Sequence, residues 1–247
     1  MRCIISVVVF CFSTMLSVGQ EFRIGANYDY LYANKWDQAV QTYNFSRPYL
    51  ANKQPLINNG LSANISYVFK SSKTFRHGVQ LLYAYFRSAA ENEGLDNTLN
   101  LHFINPGYIL HFENPVKTTG LYADLVLSVV LGKLFRNVNG EPFEFDDDKS
   151  KAPGIGGEIN IQAGYNLKAM NKISLSPFVG LGYVPYYYSP NTEAVVNQTN
   201  GLAGRKHTGI LNIQAGMLFH RLLEENDTYV QSVLFEVASA AQTRLLT

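Results

Sequence analysis

Cysteine is nearly missing from this chain. It has two, Cys3 and Cys11, and residues 20–247 contain none. Disulfides, thiolate zinc sites and thiol catalysis are therefore excluded beyond the first few residues. A surplus of charge is missing too. Setting aside Arg2 takes Lys plus Arg from 20 to 19, against 19 Asp plus Glu. That balance gives no broad basic face, and no nucleic-acid partner is expected. Beyond Gln20 no apolar run reaches the roughly 20 residues that a membrane helix needs. If this part of the chain enters a bilayer, it must do so as strands. There is one Trp, yet Tyr and Phe are plentiful at 16 and 15.

The first residues form a unit of their own. Arg2 is followed by an apolar stretch, Ile4 to Val18, and then by the small residues Ser17 and Gly19. This is the pattern of a secretory signal peptide over residues 1–19. The bulky Phe10 beside Cys11 disfavours a lipid anchor. About 228 residues follow, a length that fits one domain.

The most regular stretch is Gly154 to Leu167. Ile155, Ile159, Ile161, Ala163, Tyr165 and Leu167 alternate with Gly156, Glu158, Asn160, Gln162, Gly164 and Asn166, and only Gly157 interrupts the apolar series. This is a strand with one oily and one wet face. It is longer than the usual five or six residues. Similar stretches are expected at Glu21–Ala33, about Asn58–Phe69, Phe75–Ser88, about Thr98–Phe112, Gly120–Leu134, Ile173–Tyr188 and His207–Arg221. In the third, Leu82 and Phe86 blur the alternation. In the fourth, Pro106-Gly107 predicts a bulge or kink, because Pro cannot donate to the ladder. Between the first two, Trp36, Ala39, Val40 and Tyr43 have helical spacing and predict a short helix, its aromatics packed over the barrel mouth.

Connections after the odd strands run to about 23, 9, 19 and 18 residues, and after the even strands to about 5, 7 and 5. Long outer loops and short periplasmic turns are the topology of a Gram-negative outer-membrane barrel. The expected fold is all-β: an eight-stranded antiparallel up-and-down transmembrane β-barrel over residues 20–221, in the outer membrane with lipid around it. Its wet face carries Arg23, Asp29, Asp124, Glu158, Asn160 and Gln162. A soluble barrel around a dry ligand would not place charges there. Eight strands leave a lumen just wide enough for side chains. These six residues are therefore expected to form a structural polar plug of ion pairs and hydrogen bonds.

The stretch Glu21 to Arg221, with its last alternating run ending in Phe219, resembles the small Gram-negative outer-membrane barrels typified by OmpA and OmpX. The resemblance is one of pattern, not of a specific motif. It implies a recognition signal for the insertion machinery in the last strand. The chain departs from that class by continuing through residues 222–247. There, Val230, Val233, Leu234, Val237, Ala241 and Leu245 have helical spacing. A short C-terminal periplasmic helix is expected, able to bind an envelope protein partner.

No catalytic set assembles from spacing. The histidines are His77, His102, His111, His207 and His220, and His207 near the outer rim comes nearest to an acid–base position. Glu144 with Asp146-Asp147-Asp148 lacks the central Gly of a calcium loop and reads as a solvated loop. No metal and no cofactor is expected. The functional expectation is a non-enzymatic barrel with a structural or adhesion role through long outer loops. The alternatives are a narrow pore, a subunit of a larger envelope complex, and a barrel lipase or protease.

Overall fold

The computed structural model describes residues 20–46, 48, 52–69, 75–92, 95–113, 119–142, 152–170, 173–190, 192–193 and 206–223. The expected leader, the acidic run at Glu144–Asp148 and the expected C-terminal helix lie outside them. Eight long strands follow one another: β1 Gln20–Tyr32, β2 Asn59–Val68, β3 Phe75–Asn92, β4 Leu95–Glu113, β5 Gly120–Val138, β6 Gly154–Met170, β7 Ile173–Tyr187 and β8 His207–Leu223. Each pairs antiparallel with the next, and β1 pairs with β8 from Gln20↔Leu223 to Tyr32↔Leu211, which closes the barrel. One helix, α1 Asn34–Phe45, follows β1.

Closure satisfies the backbone. In hydrocarbon an unpaired N–H or C=O costs several kcal/mol, so a sheet can enter only if it has no edge. The register also sets the shape. Paired partners lead from Phe22 through Tyr67, Val79, Tyr108, Leu127, Ile159, Tyr183 and Leu211, and return to β1 at Tyr32. One circuit thus climbs from Phe22 to Tyr32. With eight strands, that stagger corresponds to a strand tilt of about 40°.

The side chains are arranged inside out relative to a soluble domain. Ile161 is 60% exposed while its neighbour Asn160 is 2% exposed. Ile24, Ile65, Leu81, Leu127, Ile159, Leu181 and Ile213 likewise face outward. Toward the short-turn end the outer face carries Phe112, Tyr165 and Phe219; toward the loop end it carries Tyr28, Tyr30, Tyr32, Tyr83, Tyr183 and Tyr187. An apolar belt between two aromatic girdles is how a barrel meets a bilayer. The protein is an outer-membrane β-barrel surrounded by lipid.

Three expectations about connections are corrected. β3 extends to Asn92 and β4 begins at Leu95, paired up to Asn92↔Leu95, so most of the polar loop expected at Ala90–Asn97 is instead strand in a projecting hairpin. β5 runs past Leu134 to Val138 and turns through Asn139 (φ 54°) and Gly140 (φ 80°) into a short return at Glu141–Pro142. Positive φ at two successive residues marks the tight hairpin turn that Asn-Gly favours. Finally, Pro106 makes no bulge: Ile104↔Leu131 and Gly107↔Ser128 keep one register, and only the pairs of Asn105 and Pro106 with β5 are lost.

Helix α1 covers the outer mouth. It has no side-chain N-cap, but Asp37 in its first turn faces the positive end of the dipole. Trp36, Ala39 and Val40 are buried on Leu31, Phe103, Tyr186, Tyr188 and Ile210. Trp36 stacks at a tilt on Tyr188 with ring centroids 6.4 Å apart. The returning chain is pinned twice to Asn44, whose Nδ2 donates to Gln54 O (2.7 Å) and whose Oδ1 accepts from Gln54 N (2.8 Å). Of the aromatics expected over the mouth, Trp36 is there, whereas Phe45 is 90% exposed and points away.

Two outcomes test this architecture. Ile161→Arg, on the lipid face, should lower stability in vesicles by about 2–4 kcal/mol in reversible urea unfolding. Trp36→Ala should undock α1 at a cost of about 3 kcal/mol, exposing residues 34–56 to limited proteolysis while the barrel keeps its heat-resistant, fast-migrating gel band.

Candidate functional site

The lumen is the place where polar chemistry is concentrated, and it is built in three strata. The lowest lies at the short-turn end. Arg23 is fully buried; its Nε donates to Glu21 (2.8 Å) and its Nη1 to Asp124 (2.9 Å). Arg76 bridges Glu21 (2.9 Å) and Glu113. His111 Nδ1 lies 2.5 Å from Asp124 and 3.0 Å from Arg23 Nη2, and its Nε2 lies 3.1 Å from Glu113. His220 contacts Glu21, and Tyr122 packs beside both histidine rings. Three carboxylates thus face two guanidiniums and two imidazoles. Buried charges of this kind are tolerable only because each is paired and hydrogen-bonded.

The middle stratum is mostly uncharged. Asp29 accepts from Gln214 Nε2 (2.7 Å) and Asn212 Nδ2 (3.4 Å). Glu158 accepts from Ser128 Oγ (2.8 Å), Asn105 Nδ2 (3.1 Å) and Asn160 Nδ2 (3.3 Å). Asn160 and Gln162 both donate to Gln214 Oε1, at 2.8 and 3.3 Å. All six residues expected on the wet face are buried in the lumen. They do not form one ion-pair group, however. Arg23 joins Asp124, whereas Asp29 and Glu158 have no cationic partner among the described residues and are held by amides and a hydroxyl. The physical reason is height. Asp29 lies six positions beyond Arg23 on β1, about 20 Å along the strand.

The upper stratum is apolar. Phe86, Leu99, Leu101, Phe103, Val130, Leu134, Val184, Tyr186 and Ile210 fill it beneath α1. Phe103 meets Tyr186 edge to face at 5.5 Å, and Tyr186 donates to Gly132 O at 3.0 Å. A void of about 20 Å³ remains beside Trp36. Above it, the rim is tied by Gln54 to Ser88 (2.5 Å), Asn97 to Gln54 (3.0 Å) and Arg136 to Asn97 (2.8 Å).

Sequence reasoning missed Glu21, Arg76, His111, Glu113 and His220, and it missed the apolar top. The inward faces were readable, since Glu21 shares parity with Arg23, Arg76 with Gln80 and His220 with Gln214. Parity does not give height, and only the register brings these residues together.

What this arrangement can do chemically is limited. Glu21, His111 and Glu113 bring one donor atom each within 4.8 Å of one another, the spacing of a metal centre. Arg76 already bridges the two carboxylates, so the charge a cation would neutralise is met from within. His207 is exposed, its ring 5.6 Å from that of Tyr187. His77 and His102 bond tyrosines on the outer face. Among the described residues no serine or threonine hydroxyl is bonded to a histidine.

Arg23→Met should leave Glu21 and Asp124 short of a buried partner and cost about 3–5 kcal/mol. Adding Asp124→Asn should recover part of that loss. Urea unfolding of the single and double variants checks this, and strictly additive losses would contradict the pairing.

No protein family and no curated protein matches the chain. Solved structures do. The chain is similar to Neisserial surface protein A, at 9% identity and a TM-score of 0.46, over 83% of this chain and 97% of that one. It is similar to Ail, the attachment invasion locus protein of Yersinia pestis, at 11% identity and 0.41, over 82% and 99%. It is also similar to the outer membrane protease OmpT of Escherichia coli, at 8% identity and 0.39, over 84% and 98%. The barrel assignment stands on the chain's own closed ladder and its lipid-facing belt.

Proposed function

We propose that this protein is a non-enzymatic outer-membrane barrel that serves as a rigid anchor and presents its outer end as a structural or adhesive surface. The observation that supports this reading is a lumen filled along its height. Ion pairs occupy the base, amides the middle and an apolar core the top, with α1 seated over it. Among the described residues, such packing leaves only a void of about 20 Å³ in the upper stratum, which disfavours a conduction path or a substrate cleft there. The structural effort is spent at the outer end. There the β3–β4 hairpin projects, and side-chain bonds tie Gln54, Ser88, Asn97 and Arg136 into a stiff rim. A stiff rim loses little conformational freedom when it binds, which favours recognition.

Planar-bilayer recording of the purified protein tests the filled lumen. The expected trace is closed, and it should stay closed when Phe86→Gly, Phe103→Gly and Trp36→Ala empty the apolar top, because the ion pairs of the base and the amides of the middle remain. Steady channels in the unaltered protein would overturn the reading. His207→Ala should change nothing in lipase and protease assays, because the unaltered protein should show no activity to lose.

A further inference from the structure

The outer wall carries a groove that the lumen does not explain. It holds about 820 Å³ and runs across β4 to β7, lined by Pro106, Leu127, Val129, Ile159, Tyr183 and Pro185. Two prolines make it. Pro106 on β4 and Pro185 on β7 lack an N–H, and the ladder loses its pairs beside both. Asn105 and Pro106 are unpaired to β5, and Gly157 and Glu158 are unpaired to β7. Gly157 deepens the groove: it is the one break in the apolar series of β6, and a Cβ placed there would meet no atom within 4 Å.

Just above the groove the outer face changes character. The register places Tyr85, His102 and Lys133 side by side on β3, β4 and β5, with Arg87, Asn100 and Phe135 in the next row up. The rows are organised. His102 lies 2.7 Å from the Tyr83 hydroxyl and stacks against Tyr85 and Phe135, while Lys133 sits 5.2 Å from the Phe135 ring centroid. Arg87 and Lys133 have no carboxylate partner among the described residues. Pro106 lies four positions from His102 along β4, about 13 Å. Cations at the outer girdle and an apolar slot below them match an amphiphile standing upright in the outer leaflet: phosphate above, acyl chain beneath.

We propose that this face is a binding site for a phosphorylated lipid of the outer leaflet, with Arg87 and Lys133 holding the phosphate and the Pro106–Gly157–Pro185 groove holding one acyl chain. The occupant is a lipid and not free phosphate, because the groove is continuous with the hydrocarbon belt. This role is separate from the filled lumen and does not depend on it.

The test compares the lipid retained by full-length protein after extraction from vesicles of equal phosphatidylglycerol and phosphatidylcholine. The unaltered chain should retain phosphatidylglycerol roughly thirtyfold over phosphatidylcholine, as two interfacial cations at about 1 kcal/mol each would give. Arg87→Gln with Lys133→Gln should abolish that preference. Gly157→Leu fills open space, so the barrel should fold normally, with its melting temperature in detergent unchanged. It should, however, retain less of both lipids and lose any dependence on chain length. Equal retention of the two lipids by the unaltered chain would overturn the proposal. So would undiminished retention by Gly157→Leu, or full competition by millimolar inorganic phosphate.

Discussion

The structure depends on one constraint: a backbone amide in hydrocarbon has no water to turn to. Every strand must therefore find a partner on both sides, and the last must find the first. The thirteen residue pairs between β1 and β8 meet that demand, from Gln20↔Leu223 to Tyr32↔Leu211. Once the ring is closed with eight strands and this stagger, the tilt and the narrow bore follow. So does the sorting of side chains, because the outside of the ring is oil and the inside is too narrow to hold bulk water.

The filling of that bore is graded. At the periplasmic end two arginines, three carboxylates and two histidines neutralise one another over short distances. Higher up, Asp29 and Glu158 are held by Gln214, Asn212, Asn105, Asn160 and Ser128. At the outer end the filling is Phe, Leu, Val and Tyr beneath a docked helix. Charged pairs and amides fix geometry through directed bonds, whereas the apolar top contributes burial of the kind that stabilises a soluble core. The outer half of the barrel thus contains a small globular core inside its ring.

That grading explains what was legible in the sequence. Gly154–Leu167 showed its strand plainly because one face meets oil and the other meets amides, so period two is sharp. The outward set on β8, including Ile213, Met217 and Phe219, was legible for the same reason. In β3, Leu82 and Phe86 looked like noise. They are inward residues of the apolar stratum, and where both faces are apolar the alternation fades. The tips of β3 and β4 stand above the bilayer, where nothing selects an oily face, so their extension to Asn92 and Leu95 left no pattern. Asn139-Gly140, by contrast, is a turn signal that the sequence carries, yet it lies inside the stretch Phe135 to Pro153, where only a long loop is expected. The basal cluster was half legible: parity assigns Glu21, Arg76, Glu113 and His220 to the lumen, but their meeting depends on pairings up to about two hundred residues apart along the chain.

The central claim is that the oily side of each strand faces lipid and the wet side faces the bore. Residues 20–247 lack cysteine, so single-cysteine spin labels can be walked along β6 without background. Oxygen accessibility in vesicles should oscillate with a period of two, with maxima at 159, 161 and 163 and minima at 158, 160 and 162. A flat profile, or maxima at the even positions, would contradict the account.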